Sequence, residues 1–200
     1  GEAESEEVIR NAIALGCDDG VLLADPCFAG SDGSVTASIL AAALRKLEAR
    51  LVLFGKETTD GASGLMPAFT AAWLDCPSVI GVRKVVSASE TEVVVERVME
   101  DGVDTLSLAL PAVLAVTKEI NEPRLPSLKG KMAAKKAPVL KWTAADLGLD
   151  PAKLGAGASP TEVVALEPVP ARPAGVVIAG ATPEEKAKAL VEKLKESKFI

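Results

Sequence analysis

The sequence predicts an α/β domain built on a mostly parallel, twisted sheet flanked by helices and followed by a C-terminal arm. Three observations predict it. Short apolar runs that do not alternate, at residues 21–24, 51–54 and 112–116, read as parallel strands covered on both faces. Between them lie segments with apolar residues at helical spacing, and the helix, strand, helix, strand order reads as right-handed βα units. Beyond residue 141, Gly155, Gly157, Pro160, Pro168, Pro170 and Pro173 break the chain too often for a core element. The division is therefore a domain over residues 1–141 and an arm over residues 142–200.

Each element has its own signal. Ser5 is placed to cap a first helix whose opening turn holds Glu6 and Glu7, favourable at the positive end of the helix dipole. Its predicted core face is Val8, Ile9, Ala12 and Ile13, and Gly16 ends it. Residues 25–34 are a turn-rich loop in which Asp32 or Ser34 can start the next helix, with Val35, Ile39, Leu40, Ala43, Leu44 and Leu47 as its apolar positions. A third helix carries Leu65, Phe69 and Trp73 four apart. Runs at 79–86, 93–99 and 103–110 are rich in β-branched residues, and Asp101-Gly102 is a hairpin turn signal, so the sheet becomes mixed there. Leu106, Leu108 and Leu110 share one face of the last of these strands, while Glu96, Arg97 and Glu100 read as a solvated face. In the arm, residues 161–166 can form a strand added elsewhere. Thr182-Pro-Glu-Glu185 is a capping box opening a final helix with Ala187, Leu190, Val191 and Leu194 on one side.

Composition narrows the function. The chain has 200 residues, 48% of them hydrophobic, enough for the core of one domain. No apolar run approaches the ~18 residues of a membrane span, and the longest, residues 106–116, is interrupted by Pro111. The acidic start has no secretory or transit pattern, and direct membrane insertion is not expected. Three cysteines, Cys17, Cys27 and Cys76, lack the spacing of a zinc site or a disulfide framework, which fits a reducing compartment. There is no histidine and no tyrosine, so neither a metal centre nor a catalytic constellation is expected. Net charge is −6, yet residues 124–141 carry Arg124, Lys129, Lys131, Lys135, Lys136 and Lys141 with no acidic residue. In a strongly acidic chain with 3% aromatic residues, that island suits a protein partner better than nucleic acid.

Two stretches carry the candidate chemistry. The first follows the strand at 51–54 and supplies the candidate cofactor-binding residues Gly55, Lys56, Thr58, Thr59, Asp60, Gly61, Ser63, Gly64, Leu65 and Met66. The glycines allow close backbone approach, the hydroxyls can donate, and a helix N-terminus supplies amides for an anion. A bound phosphate and a tight structural turn both satisfy this pattern. The second stretch is residues 121–136. Pro123 and Pro126 stiffen an extended loop, turning Leu125 and Leu128 outward, and Ser127 can cap a short helix with Leu128 and Met132 on one side. A rigid loop with an apolar tip in a basic patch suits docking, and Arg124, Leu125, Leu128 and Met132 are the candidate partner-docking residues.

The run Asn121-Glu-Pro-Arg124, then Leu128, Met132, Lys135 and Lys136, resembles the recognition loop of the electron transfer flavoprotein beta subunit family. Upstream, Val95, Arg97, Glu100, Asp101, Gly102, Leu106, Pro111, Val113, Leu114 and Ala115 fall at the spacings of the family's signature strand pair. Asp104 departs, standing where Glu or Gln is usual. The resemblance runs from the first residues to the terminal Lys-Phe-Ile. It implies an adenine nucleotide alpha hydrolase-like, Rossmann-like fold that would help shuttle electrons rather than turn over a substrate. An alpha subunit would hold most of the FAD site, and the loop at 55–66 would cradle an adenine nucleotide, usually AMP. Many members have polar side chains where Gly64, Leu65 and Met66 stand, so phosphate contacts here would come more from backbone amides.

The resemblance further implies flavin dehydrogenases, such as the acyl-CoA dehydrogenases of fatty acid oxidation, as electron donors, and a quinone-linked oxidoreductase as acceptor. It implies a cytoplasmic location, or the mitochondrial matrix in a eukaryote, and an arm that reaches onto the alpha subunit. Members usually open with a further strand and helix, so the natural N-terminus is expected to precede Gly1. Two alternatives stay open: a bifurcating type with a second FAD in place of AMP, and a nucleotide-sensing α/β module without redox work.

Overall fold

The apolar runs become strands in the computed structural model, which describes residues 3–59, 61–172 and 174–200. In chain order the elements are α1 (Glu6–Leu15), β1 (Val21–Leu23), α2 (Gly33–Lys46), β2 (Leu51–Gly55), α3 (Met66–Leu74) and β3 (Ser78–Ala88). There follow β4 (Glu92–Val98), β5 (Val103–Ala109), β6 (Ala112–Val116), α4 (Leu128–Lys136), β7 (Leu140–Trp142) and α5 (Pro183–Glu196). The larger sheet has the order β2-β6-β3-β4-β5, and β1 pairs with β7 in a smaller one. β2, β6 and β3 run parallel, β3–β4 and β4–β5 antiparallel, so the sheet is mixed as the hairpin signal predicts. At the turn, the Met99 amide donates to the Gly102 carbonyl at 2.9 Å. Among the described residues no helix is long and apolar enough to cross a membrane.

β6 shows why its run does not alternate: Ala112, Val113, Leu114 and Ala115 are all buried. Ala112 and Leu114 pack with Val79, Val82, Val93, Val95 and Leu108. Val113 turns to the other side, joining Val52 and Ala71 under α3, with Leu44 of α2 alongside. Fully burying side chains of this size stabilises by roughly 1.5 to 3 kcal/mol each before chain entropy is subtracted.

One core assignment read from the sequence is corrected, and two further sets of helical apolar positions are only partly buried. Val8 is 70% exposed, because α1 buries the line through Ile13 and Val8 lies off it. On α3 the predicted stripe faces outward in part, with Leu65 and Trp73 each 48% exposed. The buried positions are Pro67, Thr70 and Ala71, small residues that let the helix lie close to the sheet and leave the bulky side chains at its flanks. Leu47, just past the end of α2, is 51% exposed.

The chain divides into two compact units, Gly1–Glu162 and Val163–Ile200, so the first runs beyond residue 141. Ala144 and Leu154 are buried against Val35 and Ile39 of α2, a core that Pro and Gly content conceals. β7 is likewise too short to announce itself in the sequence. Residues 161–166 form no strand; prolines at 160, 168 and 170 withhold amides that a ladder needs. In the second unit Thr182 caps α5 by accepting from the Glu185 amide at 3.2 Å. The Glu185 carboxylate accepts from the Ala181 amide at 2.8 Å, so the reciprocal bond lands one residue early.

Asp32 ties the end of the first unit to the start of α2. One carboxylate oxygen accepts from the Ser34 and Val35 amides, both at 3.0 Å, and the other from the Thr161 hydroxyl at 2.8 Å. The Val35 amide, followed by Thr161, holds the Asp32 carboxyl below its ordinary value near 3.8. A depressed folded-state pKa stabilises above the ordinary value, and that stability is lost as pH falls through the folded one. Urea unfolding of wild type is therefore expected to weaken more steeply below about pH 4 than that of Asp32→Asn. Parallel pH profiles for the two proteins would refute this role.

Candidate functional site

β2 ends at Gly55, and the chain leaves the carboxyl ends of the sheet's parallel strands, where α/β folds open their ligand crevices. The loop returns through two left-handed residues, Ala62 at φ 44° and Gly64 at φ 63°, with the Ala62 amide donating to the Thr58 carbonyl at 3.1 Å. α3 then starts at Met66 with no side-chain cap, leaving its first turn to another acceptor.

The loop borders two cavities. One, of about 310 Å³, brings together Gly55, Lys56, Thr58, Ser63, Gly64 and Met66, six of the predicted cofactor residues. Thr59, Gly61 and Leu65 do not line it, and Asp60 lies outside the described residues. Sequence reasoning missed Thr36, Leu40, Phe54, Glu57 and Pro67, which complete the walls. Thr36 and Leu40 stand four apart on α2, a spacing that could have flagged a shared face, but Leu40 also fits a core pattern. This cavity lies at the small end of the ~300–1,000 Å³ range of ligand sites.

The second cavity, about 750 Å³, shares Lys56, Glu57 and Gly64, and its other walls mix apolar residues such as Ile80, Val98 and Met99 with Arg97, Lys118 and Glu119. At its rim Lys56 pairs with Glu57 at 3.6 Å. The Glu119 carboxyl is held below its ordinary value, first by the Thr117 hydroxyl and its own amide, with Lys118 and Lys56 adding to the effect. The rim thus carries charges of both signs at neutral pH.

The two glycines of the loop differ. Gly64 needs a positive φ, whereas a Cβ on Gly61 would meet the Thr58 hydroxyl at 3.8 Å, an ordinary contact. Gly61 is therefore permissive in space, and the backbone constraint falls on Gly64.

Residues 121–127 are extended and lead into α4, where the Ser127 hydroxyl accepts from the Gly130 amide at 3.0 Å. Replacing such a cap typically costs about 1 kcal/mol. Leu125 is 92% exposed, Leu128 77% and Met132 57%, an apolar tip left in water beside Lys129 and Lys131. Arg124 is also exposed, but it points back into the chain, donating to the Leu15 carbonyl at 3.2 Å.

A family profile described as "Electron transfer flavoprotein domain" matches residues 1–147, a span that takes in the loop after β2 and the whole of α4. Subunit CarD of the caffeyl-CoA reductase-Etf complex of Acetobacterium woodii is 36% identical over 201 residues, covering all of this chain and 76% of the relative. The electron transfer flavoprotein subunit beta of Mycobacterium tuberculosis is 42% identical over 176 residues, 88% of this chain and 66% of its own length. That of Thermoanaerobacterium thermosaccharolyticum is 37% identical over 201 residues, again all of this chain and 76% of its own. The chain thus spans two thirds to three quarters of the length of these relatives. With the α/β fold and with residues 121–136 set out as an exposed, capped loop and helix, the chain belongs to the electron transfer flavoprotein beta subunit family.

Proposed function

We propose that this chain is the beta subunit of a heterodimeric electron transfer flavoprotein. It pairs with an alpha subunit holding most of the FAD site, binds AMP beside the loop after β2, and presents residues 121–136 to a flavin dehydrogenase. Electrons pass from a donor such as an acyl-CoA dehydrogenase towards a quinone-linked oxidoreductase. The observation that carries this reading is the apolar tip of Leu125, Leu128 and Met132, exposed on a proline-stiffened, capped element with lysines around it. Bound flavin supplies the redox couple; this chain's residues bind, orient and dock. The proline-fixed backbone reduces the ordering entropy lost on docking, and the lysines speed encounter with an acidic rim more than they add affinity. Electron transfer from reduced dehydrogenase, followed against dehydrogenase concentration, tests the reading. A purified heterodimer without a flavin spectrum would instead favour a nucleotide-sensing module.

A second reading rests on the 750 Å³ cavity that adjoins the smaller one across Lys56 and Gly64. Together they offer room for a dinucleotide, which favours a bifurcating type with a second FAD. Mass spectrometry of small molecules released from the heterodimer separates AMP from FAD.

The arm is proposed to grip the alpha subunit. α5 keeps Leu190 and Val191 half exposed within its own unit, and Val164, Leu166, Val169 and Val177 are each about 90% exposed. Because Ser159 and Thr161 belong to the Asp32 network, the informative truncation falls after Glu162. It is expected to raise the heterodimer dissociation constant at least tenfold while the first unit still melts cooperatively. An unchanged constant would remove the arm from the interface.

A further inference from the structure

We infer that α4, the docking helix of the proposed function, is folded and aimed by α1 through a pair of crossed arginine caps and one close approach at Gly130. The inference rests on that reading only for what α4 docks, not for how it is held.

The sequence of α4, Leu-Lys-Gly-Lys-Met-Ala-Ala-Lys-Lys, makes a poor helix by itself. It has nine residues, a glycine in its first half and four lysines with no acidic residue; Lys131 and Lys135 set like charges four apart. An isolated segment of this length is marginal even with good helix formers. Its one buried residue is Ala134.

Contacts to α1 supply what the sequence lacks. Arg10 donates from one terminal nitrogen, Nη1, to the Ala134 carbonyl at 2.7 Å and the Ala137 carbonyl at 3.1 Å, placing a cation where α4 ends in unpaired carbonyls. Its other two nitrogens grip the Glu6 carboxylate, Nε at 3.1 Å and Nη2 at 2.7 Å, and Glu6 is held in turn by Lys141 at 3.0 Å. Arg124 does the reverse, donating to the Leu15 carbonyl where α1 ends. The helices therefore run antiparallel, each capped at its C-terminus by an arginine from the other segment. Between the caps Gly130 lies against α1 so closely that a Cβ would stand 2.4 Å from the Ala14 carbonyl oxygen, backbone that cannot rotate away.

The guanidinium fork is what allows Arg10 to bind Glu6 and α4 together, which a lysine cannot reproduce. Arg10 and Gly130 are thus positioning residues: they act by setting the direction in which Leu128 and Met132 point.

The test uses the intact heterodimer and the variants Arg10→Gln, Arg10→Lys and Gly130→Ala. Hydrogen exchange of α4 amides is read beside the dehydrogenase concentration for half-saturation and a melting curve. Both Arg10 variants are expected to speed exchange at Lys131 and Ala137 at least tenfold with β6 amides unchanged. Half-saturation should rise several-fold, while the rate at saturating dehydrogenase is kept. Gly130→Ala is the sharper variant, because alanine is the better helix former and an autonomous helix would exchange more slowly. Faster exchange in Gly130→Ala upholds the clamp; slower exchange overturns it, as does wild-type exchange in Arg10→Gln. If exchange quickens but half-saturation stays put in both Arg10→Gln and Leu128→Ala, the clamp stands and the docking reading alone fails. If Leu128→Ala moves half-saturation and Arg10→Gln does not, α1 does not aim the tip.

Discussion

Leu128→Ala is expected to raise the dehydrogenase concentration for half-maximal electron transfer by about tenfold to more than a hundredfold, with folding untouched. The size follows from the role proposed for it. An apolar anchor that fills a partner's pocket at the centre of a small interface typically loses roughly 1 to 3 kcal/mol on truncation. The same side chain is 77% exposed in the free chain, so its removal takes little from the fold. The flavin spectrum and melting temperature of the heterodimer should match wild type, and the rate at saturating dehydrogenase should hold. Leu125→Ala offers a comparison, because Leu125 is more exposed still but lies outside the capped helix. Unchanged half-saturation in Leu128→Ala would end the docking role, and a collapsed melting temperature would mean that the side chain is core.

Gly64→Val is expected to strip the nucleotide, lowering the amount released per heterodimer by tenfold or more. Gly64 sits at φ 63°, the second of two positive-φ residues, after Ala62, in the loop that leads into α3. A left-handed backbone costs an ordinary L-residue about 1 to 2 kcal/mol, and a β-branched one more, so the loop relaxes away from the shape that holds an anion. Space is not the obstacle, since a Cβ there meets only the Lys56 carbonyl oxygen at 3.7 Å. Gly61→Ala provides the contrast: no positive φ is required and its Cβ has room, so nucleotide content should stay near wild type. Quantitative chromatography of released nucleotide reads both variants. Full occupancy and an unchanged melting temperature in Gly64→Val would reduce the loop to a structural turn.

Much of this was legible along the chain because local physics writes it there. The non-alternating run at Ala112–Val116 declared a strand buried on both faces, Asp101-Gly102 declared a hairpin, and Ser127 and Thr182 declared the helix starts they cap. Prolines 123 and 126 likewise announced a stiff loop with an outward tip. The cavity was half legible: the Gly and hydroxyl pattern named six of its residues, but Thr36 and Leu40 arrive from α2, and no local spacing records their meeting with the loop.

What only the tertiary structure decided are the choices that depend on who lies opposite. Val8 fits an apolar face on α1 and is left in water, whereas Ala144 and Leu154 sit in a Pro/Gly-broken stretch and become core because α2 presents Val35 and Ile39 to them. α4 is the clearest case. Ser127 marks where it starts, but its composition sustains a helix poorly, and Arg10, more than a hundred residues earlier, completes it by satisfying the carbonyls at its end. The sequence by itself determined most of the elements, β7 excepted, and the family, since propensity, capping and periodicity act within a few residues. The structure decided burial, the cavity walls and the aim of the docking tip, because each is a free energy shared between segments that the linear order keeps apart.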